Sequence, residues 1–217
     1  MNVLTDRDRK LVDFIGRFGI STVGQVKEYF NLGRTVSYRR IKALKTLDYV
    51  NEKKILLGAP NILKISGVAS KVFELPVGRI KLHELYHNLC CNEVITYLSK
   101  NKYWDHSFFT ERELQKYKYK FHDYNREHIP DGVFYKGDFK SNLVAIELEL
   151  HVKSKKRYNS IIDFYCRHSE YSNVIYICNS GTYRKLKELF KKFDYISVVK
   201  LTDLDINLST YEKFLIK

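Results

Sequence analysis

Ile129-Pro130-Asp131-Gly132-Val133-Phe134-Tyr135 and, a few residues later, Val144-Ala145-Ile146-Glu147-Leu148-Glu149-Leu150-His151-Val152-Lys153 carry the pattern that decides the reading of this chain. Side chains alternate along a strand, so Ala145, Glu147, Glu149 and His151 share one face. Val144, Ile146, Leu148 and Leu150 share the other, which must be buried. Two residues of strand rise set the glutamates about 6.6 Å apart at their backbones, close enough for both carboxylates to lean onto one cation. Pro130 has no amide donor and biases Ile129 toward extended geometry, which suits an edge strand running through Val133, Phe134 and Tyr135. A turn at Gly137-Asp138 then returns the chain and sets Asp131 opposite the glutamates. Three neighbouring carboxylates repel one another unless a divalent cation or a lysine compensates, and Lys153 is the lysine at hand. Alternation alone also fits a half-exposed antiparallel strand with an acidic polar face. Asp, then Glu-x-Glu, then Lys in this order favours a metal cluster.

The rest of the composition is that of a folded protein: 217 residues with 44% hydrophobic and 14% aromatic side chains suffice for one large domain or two small ones. A net charge of +13 points to a polyanionic partner such as nucleic acid. No stretch approaches the ~18 consecutive apolar residues of a membrane span and no apolar leader follows the start, so a soluble, cytoplasmic protein is expected. Cys90, Cys91, Cys166 and Cys178 make no metal-binding spacing and read as buried thiols in a reducing compartment.

In the first third, Thr5 can cap a helix whose Leu11, Val12, Phe14, Ile15 and Phe18 follow a 3.6-residue period, with Gly19 ending it. A second helix follows Thr22, a turn at Asn31-Leu32-Gly33 comes next, and a third helix covers about Thr35 to Thr46. Arg34, Arg39, Arg40, Lys42 and Lys45 give that helix a cationic face, and Ser37 and Tyr38 lie beside them. Segments near Tyr49–Leu57 and Ile62–Ile65 form a hairpin. Residues 1–79 hold 15 Lys and Arg against 7 Asp and Glu, so positive charge is densest there. Three helices and a basic hairpin are similar to the winged helix-turn-helix family, which implies that Arg39 and Arg40 make base-edge or phosphate contacts with DNA. A small helical dimerisation domain with a solvated basic face is the other reading.

Residues 67–80 form a connector, and a long helix is expected from about Lys81 to Ser99. In it His83 and His87 lie four residues apart, a metal-compatible spacing without a convincing third ligand. Thr110-Glu111-Arg112-Glu113 reads as a helix start. Lys116-Tyr117-Lys118-Tyr119-Lys120-Phe121 alternates strictly and reads as a strand, either a ribbon for a phosphate backbone or an edge strand kept soluble by lysines. Helices at about 153–168 and 182–193 alternate with strands at 174–178 and 196–199, an α/β (α+β) pattern with a central mixed sheet.

The order Asp131, Glu147, Glu149, Lys153 resembles the PD-(D/E)xK nuclease superfamily, with Glu149 where the usual lysine stands and Lys153 as the variant lysine on the following helix. Joined to an N-terminal winged helix, "PDGVF", "AIELEL" and "KSKKRY" resemble the replication-relaxation proteins of plasmids and mobile elements and the nuclease-like mobilisation relaxases. The resemblance spans roughly residues 3 to 170. It implies a winged helix at 1–78 and a restriction-endonuclease-like domain at 79–217. It further implies that Mg2+ or Mn2+ is held by Asp131, Glu147 and Glu149, with Glu93 of the long helix adding a fourth acid. Lys153 then stabilises the phosphorane charge, Arg157 clamps a phosphate, and His87 and Tyr158 are accessory groups. Water, rather than Tyr158, is the expected nucleophile. The partner implied is double-stranded DNA at a specific site, with a homodimer and an accessory mobilisation or replication protein compatible with the role. The alternatives are a DNA-binding regulator with a degenerate nuclease-like domain and an RNA-processing or defence nuclease.

Overall fold

The computed structural model describes residues 4–121, 128–137, 139 and 141–215, with residues 117–121 described by backbone alone. The chain divides into two compact units, one of residues up to Glu93 together with Asn207 onward, the other Val94–Ile206.

The first unit opens with α1 (Asp6–Phe18), α2 (Val23–Tyr29) and α3 (Arg34–Thr46). Thr5 caps α1 and Thr22 caps α2, each through a reciprocal box with Asp8 or Gln25 that satisfies backbone donors at both helix starts. Gly19 takes φ +78° to close α1, a conformation that strains any side chain. Leu11, Val12 and Ile15 of α1 are buried with Val26 of α2 and with Ile41 and Leu44 of α3, as their 3.6-residue spacing requires. An antiparallel ribbon of β1 (Val50–Lys53) and β2 (Ile62–Ile65) follows, and Ser21 bridges to Leu63 at its inner edge. Next come α4 (Gly67–Phe73) and α5 (Leu82–Asn101).

The two compact units part within α5, between Glu93 and Val94. The physical reason is that the first half of α5 belongs to the same core: Leu85 and Leu89 pack with Ile20 and Ile62. Buried Gln25 donates to the Leu89 carbonyl at 2.8 Å, and buried Asn92 donates to that of Ile20 at 2.7 Å. The same core takes Tyr211 and Phe214 from a 3₁₀ segment, Ser209–Phe214, that returns from the far end of the sequence.

The second unit is mixed α/β, with a five-stranded sheet in the order β3 (Ser107–Thr110), β4 (Gly132–Tyr135), β5 (Leu143–Glu149), β6 (Tyr171–Cys178), β7 (Ile196–Lys200). Among the first three strands each neighbouring pair is antiparallel, and among the last three each is parallel. Two helices make the parallel crossovers: α7 (Lys155–Arg167) joins β5 to β6, and α8 (Ser180–Phe190) joins β6 to β7. Tyr158, Ile161, Ile162 and Tyr165 of α7 meet Leu186 and Phe190 of α8 over Ala145, Val174 and Tyr176 of the sheet. Gly132 is close-packed, since a Cβ there would lie 2.8 Å from Ile95. The turn expected at Gly137-Asp138 includes Asp138, which lies outside the described residues.

Lys116–Phe121 is not a strand. It is the second half of α6 (Glu111–Phe121), whose start is capped by Thr110 and Glu113. Lysine is a good helix former, and a capped nucleus just upstream outweighs a two-residue alternation. Of the four free thiols Cys90 and Cys178 are buried, as expected, whereas Cys166 is exposed. No described helix is long and apolar enough to cross a membrane.

Phe214 is nearly inaccessible in the first unit's core. Phe214→Ala is therefore expected to lower the stability of that unit by about 3 kcal/mol, the usual cost of truncating a buried ring. Thermal unfolding followed by circular dichroism measures it.

Candidate functional site

All seven residues of β5 are buried, because the strand lies in the middle of the sheet with cover on both faces. Glu147 and Glu149 thus sit inside the protein at 3% exposure each, which rules out the half-exposed acidic strand. Pairing Gly132 with Ile146 brings Asp131, one residue earlier, beside Glu147 at the same end of the sheet. The Asp131 carboxylate accepts a 2.7 Å bond from the Leu148 amide, so β4 and β5 are fastened where the acids stand. The end of β5 is fastened on its other side too. Asn179, the N-cap of α8, donates to the Leu150 carbonyl at 2.5 Å, and Thr182 reaches the Glu149 carbonyl at 3.4 Å.

Each glutamate has its own partners. Glu147 accepts from the hydroxyl of buried Tyr165 and pairs with the imidazole Nε2 of His128. Glu149 pairs with Lys153 at 2.6 Å. The backbone amide of Lys153 in turn donates to the Tyr158 hydroxyl at 3.0 Å, which fixes the turn between strand and helix. Burial and the nearby Glu149 push the Tyr158 phenol up to about 12. Tyr158 is thereby a protonated, fully covered core residue, not an accessible nucleophile.

Tyr176 completes the arrangement from β6, where it is in register with Glu147. It is fully buried, and its hydroxyl has no hydrogen-bond partner among the described residues. Its pKa is raised, first by burial and then by the charges of Glu147, Glu149 and Asp131. An unsatisfied buried hydroxyl costs roughly 1–3 kcal/mol, and here it stands beside three carboxylates. His128, Tyr165 and Tyr176 were not legible as site residues in the sequence: each sits far along the chain from the glutamates, and two look like ordinary core tyrosines.

Carboxylate oxygens are the ligand type that hard divalent cations prefer, and Asp131, Glu147 and Glu149 could offer them from the same end of the sheet, Glu147 and Glu149 buried and Asp131 half-buried. Glu93, expected as a further acid, is engaged elsewhere. It belongs to the first unit and accepts from Tyr211 at 2.5 Å, with burial raising its pKa. His87 lies 3.5 Å through Nδ1 from the Cys91 thiol, and His83 is 3.4 Å from Glu84.

On α3, Arg34, Tyr38, Arg39 and Lys42 are exposed and present a cationic face. Three residues expected there have other partners. Arg40 turns back to α1, donating from Nε to Asp8 at 2.9 Å and from Nη2 to Thr5 at 2.9 Å. Lys45 pairs with Glu52 of β1. Ser37 is buried and donates to the Gly33 carbonyl at 3.0 Å, because its position on the helix faces inward. In the second unit Arg157 is exposed on the first turn of α7 beside Lys155 and Lys156. Comparisons of the chain with family models, curated proteins and solved structures gave no match.

Lys153→Ala leaves Glu149 buried without its cation and is expected to cost about 3 kcal/mol, read from chemical denaturation. Glu93 supplies a pH test in the first unit. Because its folded pKa is raised, its contribution is complete below the ordinary glutamate range and is lost as pH rises through the raised value. Glu93→Gln is expected to flatten the fall in melting temperature as pH rises above the ordinary glutamate range.

Proposed function

We propose that the protein is a metal-dependent DNA nicking endonuclease, with a winged helix in the first unit that finds a site and a nuclease-like second unit that cuts one strand. The carrying observation is the burial of Glu147 and Glu149 on a central strand with Asp131 at the same end. A strand needed only for folding would be more stable with apolar residues there, since desolvating carboxylates costs several kcal/mol per ion. The unpartnered Tyr176 hydroxyl facing that charge supports a polar occupant.

Asp131, Glu147 and Glu149 would hold Mg2+ or Mn2+, which when bound supplies Lewis acidity toward a phosphoryl oxygen. Lys153, fixed by Glu149, carries positive charge at the mouth of the strand, where phosphate oxygens gain charge in the transition state. Asn179 and Thr182 hold the strand end in place, and exposed Arg157 can clamp a neighbouring phosphate. The exposed Arg34, Arg39 and Lys42 on α3 are the groups offered to a duplex.

A second reading is favoured by the hydrogen bonding around Glu147: a carboxylate already engaged by Tyr165 and His128 suits a DNA-binding regulator whose nuclease-like unit no longer cuts. Incubation with supercoiled plasmid and Mn2+ separates the two. Nicked circles are expected with the native chain, and Asp131→Ala or Glu147→Ala should reduce their formation at least about 100-fold. Plasmid that stays supercoiled across a panel of replication and transfer origins, while the protein still binds DNA, selects the regulator.

A further inference from the structure

The exposed face of α8 is a strip of positive charge that the cleavage reading does not use. The helix buries Thr182, Leu186 and Phe190, a four-residue spacing that fixes one side to the sheet. The opposite side holds Arg184, Lys185 and Lys187, and Lys191 and Lys192 follow just past the helix end, all exposed, with Glu188 the single acid among them. Glu188 pairs with Lys191, whereas Arg184, Lys185 and Lys192 make no ion pair among the described residues. Tyr183 extends the strip onto the sheet, its ring carrying Lys187 at 5.6 Å and Lys200 of β7 at 4.9 Å.

We infer that this face is a sequence-independent binding surface for the phosphate backbone of double-stranded DNA. Concentrating like charges on a short helix costs stability through repulsion, and a polyanion repays that cost by counterion release. The face also lacks what other partners need. None of the strongly exposed large hydrophobic side chains of the described chain lies between residues 180 and 200, so there is no apolar anchor for a bilayer and no hot spot for a protein partner. No exposed aromatic offers a stacking platform for unpaired bases, since Tyr183 is partly covered and holds lysines. Eleven helical residues span about 16 Å, which corresponds to roughly five base steps of rise along the duplex axis. The surface would hold DNA on the second unit whether or not that unit cuts.

The test uses the full chain in EDTA, so that no cleavage intervenes, with fluorescence anisotropy on a random-sequence duplex across a salt series. The variant Arg184→Gln/Lys185→Gln/Lys192→Gln is compared with the charge-matched Lys71→Gln/Lys100→Gln/Lys102→Gln, both checked for native thermal unfolding. The α8 variant is expected to reduce the slope of log affinity against log salt by about 3 and to weaken binding at low salt at least about 10-fold. The matched control should change little, and replacing Lys185 and Lys192 by arginine should preserve the slope. Equal effects of the two triple variants would reduce the face to general net charge and overturn the inference. Tighter α8-dependent binding to an RNA duplex or to anionic vesicles than to DNA would overturn the assignment of partner. Loss of nicking in Asp131→Ala with this binding intact would leave the inference standing apart from the cleavage reading.

Discussion

Putting two carboxylates on the central strand of a sheet is the constraint that the second unit is arranged to meet. A buried carboxylate without partners costs far more than any single apolar contact returns. Glu147 and Glu149 are accommodated because neighbouring segments lend them partners: a phenol from Tyr165 of α7, an imidazole from the segment before β4, an ammonium from Lys153. The fold around them is also pinned by side chains bonded to the backbone at the end of β5. Asp131 ties β4 to the Leu148 amide, and the N-cap of α8 ties down the Leu150 carbonyl. Loosening any one of these would move charge inside a medium that screens it poorly.

Much of this was readable from residue order, where the determinants are local. The three N-terminal helices announced themselves through capping threonines and periodic apolar residues. The alternation of β5 put both glutamates on one face, and Pro130-Asp131-Gly132 opened the neighbouring strand. What was not readable is what depends on distant chain. The alternation in Lys116–Phe121 mimics a strand, yet the capped start at Thr110 commits the segment to a helix. Arg40 and Ser37 sit on a cationic helix by composition, but one faces Asp8 thirty-two residues earlier and the other faces the interior. Tyr176 looks like any β-strand aromatic until its register with Glu147 is known.

The two units differ in how they use polar burial. In the second it gathers around acids, and the buried hydroxyls of Thr96 and Tyr176 have no hydrogen bond among the described residues. In the first, Gln25 and Asn92 satisfy backbone carbonyls and Glu93 meets Tyr211, while the buried Ser21 hydroxyl has no hydrogen bond among the described residues. Reciprocal buried bonds specify a single packing of α5 against α2, which is a structural task.

The return of Tyr211 to Glu93, 118 residues upstream, carries a consequence for biosynthesis. The unit translated first lacks two of its core side chains until the ribosome has nearly finished the described chain. The intervening α/β unit can collapse during elongation, while the earlier one waits without Tyr211 and Phe214 in its core. Closing so long a loop adds only a logarithmic entropy cost, so the delay is kinetic, not energetic.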